Sequence, residues 1–460
     1  MTKKSLQSLS STPLSRRTLF QAGLIGGAAL AMGTSLTACA PEVSTKGGAK
    51  TLRMVMPDAY PFEDVLTTTT EPAADGTADR GLWRLLQSWK ETHPDVTLEI
   101  ETVPWDAITQ RVILMGQAGT PADLVLVNDL NIPKLAKGGF LAPLDSLPGE
   151  WDDYNQNLLR GIASDAGKIY ALPWMTDCRH EMYWKEDWAK AGITETPETW
   201  AEFTEAMAAL KDAGIADPYS FWAGNTVHTP TQSLFSQTWM LGGDVIDADG
   251  RATLETDEML EVFEFYNSLM NEQGVSSTGL LSVSKDDEYD DMLLSHKTAT
   301  MKGGSWVGLK LDDGGLADEI GYFRTPRPTK DAKDATLSGF WAFELPAQKT
   351  PDEAKQELAF EFAMHITGSK GQAEYLVDAP GKLPTRPSAS ASPQAQAQND
   401  AWKFQADYAA DAGRGMPPAA DAGLLFDQLR IAFQSYLTGT SPANEALASA
   451  EKAYNEQVAP

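Results

Sequence analysis

At 460 residues the chain is too long for one compact core, so two domains or lobes are expected. Its 42% hydrophobic and 22% charged residues are those of an ordinary globular protein, which excludes wholesale disorder and a polytopic membrane protein. A net charge of −27 argues against nucleic acid as a partner, and two cysteines with five scattered histidines argue against a disulfide framework or a paired-cysteine zinc site.

Taken from the start, residues 1–17 carry Lys3, Lys4, Arg16 and Arg17 and no acid, and Thr18 to Ala38 is uncharged. That pattern reads as an export signal peptide over 1–38. The pair Arg16-Arg17 resembles the twin-arginine type, with general secretion left open. Leu36-Thr37-Ala38-Cys39 resembles a bacterial lipobox, in which the Cys39 thiol receives a diacylglyceryl group and becomes the first residue. An uncleaved membrane anchor is the alternative use of the uncharged stretch. Residues 39–50 lack an apolar pattern and read as a lipid-anchored tether. The expectation is an exported monomer, lipid-anchored on the outer face of the cytoplasmic membrane. Cys178 reads as a small buried hydrophobe rather than a reactive thiol.

The body alternates strand and helix signals. Leu52 to Pro57 predicts a strand, followed by a polar loop to Arg80. Leu82, Leu85, Leu86 and Trp89 predict a helix, and Val96, Leu98 and Ile100 alternate as in a strand. Ile108, Val112 and Met115 predict a helix closed at Gly119; Asp123 to Val127 is a continuous apolar run, as in a strand buried on both faces. This βαβαβ order indicates an α/β fold with a parallel sheet. Further on, Thr196-Pro197-Glu198 predicts a helix start with Thr196 as N-cap. Helices are predicted over 258–270 and 351–366 and around Leu425, Leu429, Ala432 and Tyr436, and Ser388 to Gln398 reads as a solvated loop.

Several motifs resemble one family in the correct order over about residues 50–450. They are Leu135 to Asp145, Gly167-Lys168-Ile169-Tyr170-Ala171-Leu172-Pro173-Trp174, Tyr183 to Asp187, Pro197 to Phe203, Lys297 to Trp306, and Gly381-Lys382-Leu383-Pro384-Thr385-Arg386. Together they resemble the extracellular sugar-binding component of ATP-driven (ABC) importers, the maltose-binding-like solute-binding lipoproteins. Thr300 stands where the family pattern has Ala, Trp184 where it has Asn, and the 61–80 loop is long. The resemblance implies a periplasmic-binding-protein-like fold of two α/β lobes with crossings near Asp177, Gly339 and Thr385. Lobe 1 would hold 51–176 and 340–384, and lobe 2 would hold 177–338 and 386–460. It also implies a carbohydrate ligand closed in by a hinge motion, an ABC permease as partner, and no cofactor, metal or catalytic residue.

A sugar offers C–H faces to aromatic rings and a hydroxyl rim to carboxylates, amides and Arg. Open α/β sheets bind ligands at the carboxyl ends of their strands. The aromatics expected there are Tyr60, Trp105, Trp174, Trp222, Trp239, Trp306 and Trp341. The polar candidates are Asp58, Asp129, Asp177, Asn225, Asp244 and Arg386. Each has a plain structural alternative: core packing for the rings, turns or caps for Asp58 and Asp244, and inter-lobe pairing for Arg386. Trp83, Trp89 and Trp200 lie on helix stripes and read as core. The acids Asp286, Asp287, Glu288, Asp290 and Asp291 read as a solvated run, although a surface-anchored glycosidase would also use paired acids. A non-sugar solute such as a polyamine or peptide is the other alternative, which the acidic charge permits and the thirteen tryptophans disfavour.

Overall fold

The computed structural model describes residues 50–58, 60–73, 79–105, 107–159, 163–164, 168–226, 228–247, 249–375 and 381–458. The expected signal peptide, Cys39 and the expected tether up to residue 49 lie outside the described residues. Fourteen strands occur in chain order among them. They are β1 (Lys50–Pro57), β2 (Val96–Val103), β3 (Leu124–Asn128), β4 (Ala163–Ser164), β5 (Lys168–Ile169), β6 (Ala171–Thr176) and β7 (Arg179–Trp184). Then come β8 (Tyr219–Ser220), β9 (Thr300–Gly304), β10 (Ile320–Phe323), β11 (Thr336–Leu337), β12 (Phe340–Glu344), β13 (Leu383–Pro384) and β14 (Gly413–Arg414).

Two α/β lobes form around two separate sheets. The first is six-stranded, in the order β13-β6-β12-β3-β1-β2, and the second four-stranded, in the order β10-β7-β9-β8. In the first, β1 runs parallel to β2 and β3, and β12 is antiparallel to both β3 and β6. Strand β6 therefore points the same way as β1, β2 and β3, and β13, antiparallel to β6, points the other way. The parallel βαβαβ start is present, and β3 is buried along its whole length, as its unbroken apolar run requires. Helices Asp79–Thr92 and Glu353–Thr367 bring Leu82, Leu86, Trp89, Phe362 and Ile366 into the first core. The second core is built mainly by helices Trp200–Asp212, Asp257–Asn267, Ala422–Leu437 and Ala443–Gln457.

Three local expectations change. The helix expected from Thr196 begins at Trp200, because Thr199 and Glu202 form a reciprocal capping box that satisfies two backbone donors. The stretch 388–398 is not a plain solvated loop: it holds short helices Pro387–Ser390 and Pro393–Gln396, with Ala389 and Ala395 buried. The 61–80 loop contains helix Phe62–Thr67, anchored by buried Phe62 and Val65.

The chain leaves the first sheet at Thr176 and enters the second at Arg179, and it returns between Leu337 and Phe340. These two passages are stitched together. Gly339 donates its N–H to Asp177 Oδ1 at 2.9 Å, and its carbonyl accepts from Thr176 Oγ1 at 2.8 Å. At a third contact, Gly381 has φ +71° and lies against the Ser305 carbonyl, where a Cβ would collide. Only glycine meets both conditions, so the backbone leading into β13 can press on the second lobe.

Candidate functional site

Strand direction decides what faces the space between the lobes. In the first sheet β1, β2, β3 and β6 end on one edge, and antiparallel β12 and β13 begin there. The residues just past or at those strand ends are Asp58 and Tyr60, Trp105, Asp129, Asp177, Trp341 and Lys382. In the second sheet β7 starts, and β9 and β8 end, at one edge, since β7 is antiparallel to β9 and β8 parallel to it. That edge supplies Arg179, Trp306 and the segment that follows β8, which runs through Trp222 and Asn225 to His228.

Asp177 and Arg179 form the centre. They make an ion pair with each other, and Arg179 Nε donates to Gln232 Oε1 at 2.8 Å. The guanidinium also lies over the Trp306 ring, 5.2 Å from its centroid. Burial first, then Tyr375 and Asp177, raise the Tyr60 phenol pKa, and Asp177 opposes the downward shift that burial gives the Lys382 ammonium. Tyr60 stands edge-on to Trp341 at 5.4 Å, with the Lys382 Nζ 5.6 Å from its ring. Trp105 is 38% exposed and is held by its backbone N–H donating to Asp58 Oδ1 at 3.0 Å.

Asp129 is buried beside this centre. Burial and the Asp177 charge push its carboxyl from 3.8 up to about 7, while Arg179 and the backbone N–H groups of Phe340 and Met416 pull it down. Its Oδ2 has no hydrogen-bond partner among the described residues. A buried acceptor without a partner carries a desolvation cost that a donor brought by a ligand would offset.

Six candidates are engaged elsewhere. Trp174 is 1% exposed and sits in the first core between Phe62, Phe343, Tyr375 and Tyr60, because it points inward from a strand buried on both faces. Trp222 is equally buried; it stacks on Tyr289 at 4.3 Å and donates Nε1–H to the Lys302 carbonyl at 3.0 Å. Arg386 is wholly buried in the first lobe, where it donates to the Thr367 carbonyl at 2.7 Å, the Gly149 carbonyl at 3.0 Å and the Tyr154 hydroxyl at 2.7 Å. It is neither a ligand contact nor an inter-lobe pair, and the chain therefore stays with the first lobe beyond Thr385. Asp244 accepts from Trp239 Nε1 at 3.1 Å and from Arg414 at 2.9 Å, and Arg414 covers the Trp239 ring at 4.3 Å. Asn225 is engaged by Arg430.

Three residues at the centre were not singled out by sequence reasoning. Arg179 opens a strand two residues after the expected crossing at Asp177, and the opposite charges at 177 and 179 were its available signal. Lys382 lies inside the quoted Gly381 to Arg386 motif. His228 gave no signal beyond its residue type. In the acid run Asp287, Glu288 and Asp291 are exposed, but Asp290 is buried; Asp287 and Asp290 pair with Lys310, and Asp286 lies 3.5 Å from His228. Cys178 is buried against the Gln405 carbonyl, and burial pushes its thiol pKa up, as for an inert core residue. Among the described residues no group of three metal-ligating side chains occurs, and no helix is long and apolar enough to cross a membrane.

Two α/β lobes joined by stitched crossings, with rings and carboxylates converging between them, define a hinged two-lobe binding protein. The chain belongs to the bacterial extracellular solute-binding protein family, whose model matches residues 67–373. It is 28% identical over 205 residues to a binding protein of Brucella abortus (strain 2308), and that match takes in 44% of this chain and about half, 49%, of the relative's length. It is 25% identical over 305 residues to the diacetylchitobiose binding protein DasA of Streptomyces coelicolor, covering 64% of this chain and 68% of DasA. The crystal structure of a cyclic alpha-maltosyl-1,6-maltose binding protein from Arthrobacter globiformis superposes with a TM-score of 0.74 at 20% identity, covering 89% of this chain and 99% of that one. This last likeness establishes the two-lobed fold.

Proposed function

We propose that this protein captures a neutral mono- or oligosaccharide between its lobes and delivers it to the permease of an ABC importer. The observation that carries the reading is the convergence of Trp105, Trp306 and Trp341 with Asp129, Asp177 and Arg179 at facing sheet edges, while Tyr60 is buried in the first core beneath Trp341. Rings offer faces to the sugar, and the unpartnered Asp129 Oδ2 accepts from its hydroxyl rim. DasA, by its name, binds diacetylchitobiose, and another relative, from Halalkalibacterium halodurans, is named an arabinooligosaccharide-binding protein; both support a saccharide here. Ligand that prefers the closed arrangement drives closure by that preference alone. The expected affinity is roughly micromolar, about −8 kcal/mol.

The test is a thermal-shift screen over a sugar panel, since a ligand that binds only the native state raises the melting temperature. A panel in which a polyamine or peptide shifts the melt and no saccharide does overturns the reading. Chromatography of an oligosaccharide after incubation separates a binder, which leaves it intact, from a glycosidase. Export and anchoring through lipidated Cys39 belong to the same proposal, because two or three acyl chains on one residue hold a protein stably where one is marginal. Cys39→Ser should move the protein from the membrane fraction to the soluble one; equal membrane retention would refute the anchor.

A further inference from the structure

Trp105 and His228 meet across the space between the lobes. Trp105 follows β2 in the first lobe, and His228 precedes the short helix Thr229–Ser233 in the second. Their ring centroids are 5.9 Å apart, with the planes tilted by 29°. A saccharide ring sandwiched between two aromatics stands about 4 Å from each, so the pair would have to open to roughly 8 Å to admit one. At 5.9 Å the rings contact each other and close the gap between them.

Each ring is held by its own lobe. The Trp105 backbone N–H donates to Asp58 Oδ1 at 3.0 Å, and His228 Nε2 lies 3.5 Å from Asp286 Oδ2. The position along the cleft follows from topology. Strand β2 is the edge strand of the six-stranded sheet, and the residue past its end stands last in the row of strand ends. On the inner side Arg179 donates to Gln232 at 2.8 Å, and the Gln232 backbone N–H donates to the His228 carbonyl at 3.0 Å, so the central ion pair lies one helical turn from the clasp.

We propose that the Trp105–His228 clasp closes one end of the cleft and limits the ligand to a short saccharide, a mono- or disaccharide. This rests on the saccharide reading above. His228 acts as a specificity-determining residue: it blocks the space into which further sugar units would extend.

The experiment is isothermal titration of the mature protein, and of His228→Ala and Trp105→Ala, with two homologous series. One runs from glucose through maltose and maltotriose to maltohexaose, the other from N-acetylglucosamine through diacetylchitobiose to chitohexaose. In whichever series binds, the wild-type hexasaccharide should be at least tenfold weaker than the disaccharide. His228→Ala should reduce that ratio at least tenfold, and Trp105→Ala, at an exposed ring whose loss leaves the core untouched, should reduce it in the same direction. A wild-type protein that binds both lengths equally, or variants that leave the ratio unchanged, overturns the clasp while leaving saccharide binding standing. Silence of the wild type towards both series and towards every saccharide of the thermal-shift panel overturns the saccharide reading and the length limit together.

Discussion

Replacing Asp129 by Asn should stabilise the free protein above neutral pH and weaken its grip on ligand. The carboxyl is buried, and its proton affinity is raised from the ordinary 3.8 to about 7. Folding therefore takes up a proton wherever the unfolded chain is ionised and the folded one is not. Stability falls as pH rises from about 4 to about 7 and then levels off. At about 1.4 kcal/mol per tenfold change in proton affinity, keeping the folded carboxyl ionised at pH 8 costs on the order of 4 kcal/mol, and at pH 5 the corresponding cost is about 2 kcal/mol. The amide of Asn removes this term but leaves one backbone N–H less well satisfied, a loss of about 1 kcal/mol. The net gain is then about 2–3 kcal/mol at pH 8, shrinking to about 1 kcal/mol or less at pH 5. Urea denaturation of both proteins across this range, without ligand, measures the difference. Ligand affinity should run the other way. A hydroxyl donating to Oδ2 favours the ionised carboxylate, so wild-type binding should tighten between pH 6 and pH 8, and Asp129→Asn should flatten that rise. An Asn variant no more stable than wild type at pH 8, or equally shifted at pH 5 and pH 8, would refute the argument.

The other predictions concern single positions. Trp306→Ala should weaken saccharide binding by about 2 kcal/mol, roughly thirtyfold by calorimetry, and should also lower the melting temperature, because the half-buried indole packs against both clusters of the second lobe. Arg386→Ala should cost about 3 kcal/mol or more of stability in urea, since it strips the Thr367 and Gly149 carbonyls of a buried charged donor, while changing ligand affinity less than about twofold. A larger affinity loss would return Arg386 to the binding surface. Glu344 is fully buried with neither carboxylate oxygen partnered among the described residues, and burial holds its pKa well above the ordinary value. Glu344→Met should therefore raise the urea midpoint, more at pH 8 than at pH 5; a lower midpoint at pH 8 would show that the acid has a partner.

Much of the fold was legible because it is written in periodicity. The strand at Leu124–Asn128 announces itself by an unbroken apolar run, and helix Asp79–Thr92 by Leu82, Leu85, Leu86 and Trp89 on one face. The candidate site was legible where a residue lies at or within a few positions of a strand end on the facing edge. Asp129 after β3 and Asp177 after β6 are found that way, since strand direction alone sends them to the binding edge. Trp174 and Trp222 show the limit of this rule. Trp174 lies within β6, where both faces are buried, and Trp222, two residues past Ser220, folds back onto Tyr289. A large ring near a strand end serves core or ligand according to the side it turns to, and composition carries no record of that.

Arg386 and Arg179 make the same point with charges. Both are buried arginines next to an expected crossing. Arg386 is consumed by first-lobe backbone carbonyls and the Tyr154 ring, which it overlies at 3.9 Å. Arg179 is tied to Asp177 on the crossing itself and to Gln232 in the second lobe, and it overlies Trp306. A guanidinium fixed by a partner on the hinge keeps its place beside both lobes as they close, whereas one satisfied within a single lobe braces that lobe alone. What distinguishes them is the identity of their acceptors, and those lie 53 residues away for Arg179 and 237 for Arg386. Long-range partners of this kind are set by the closure of the sheets, so the function of a buried charge becomes readable only after the topology that delivers its acceptors.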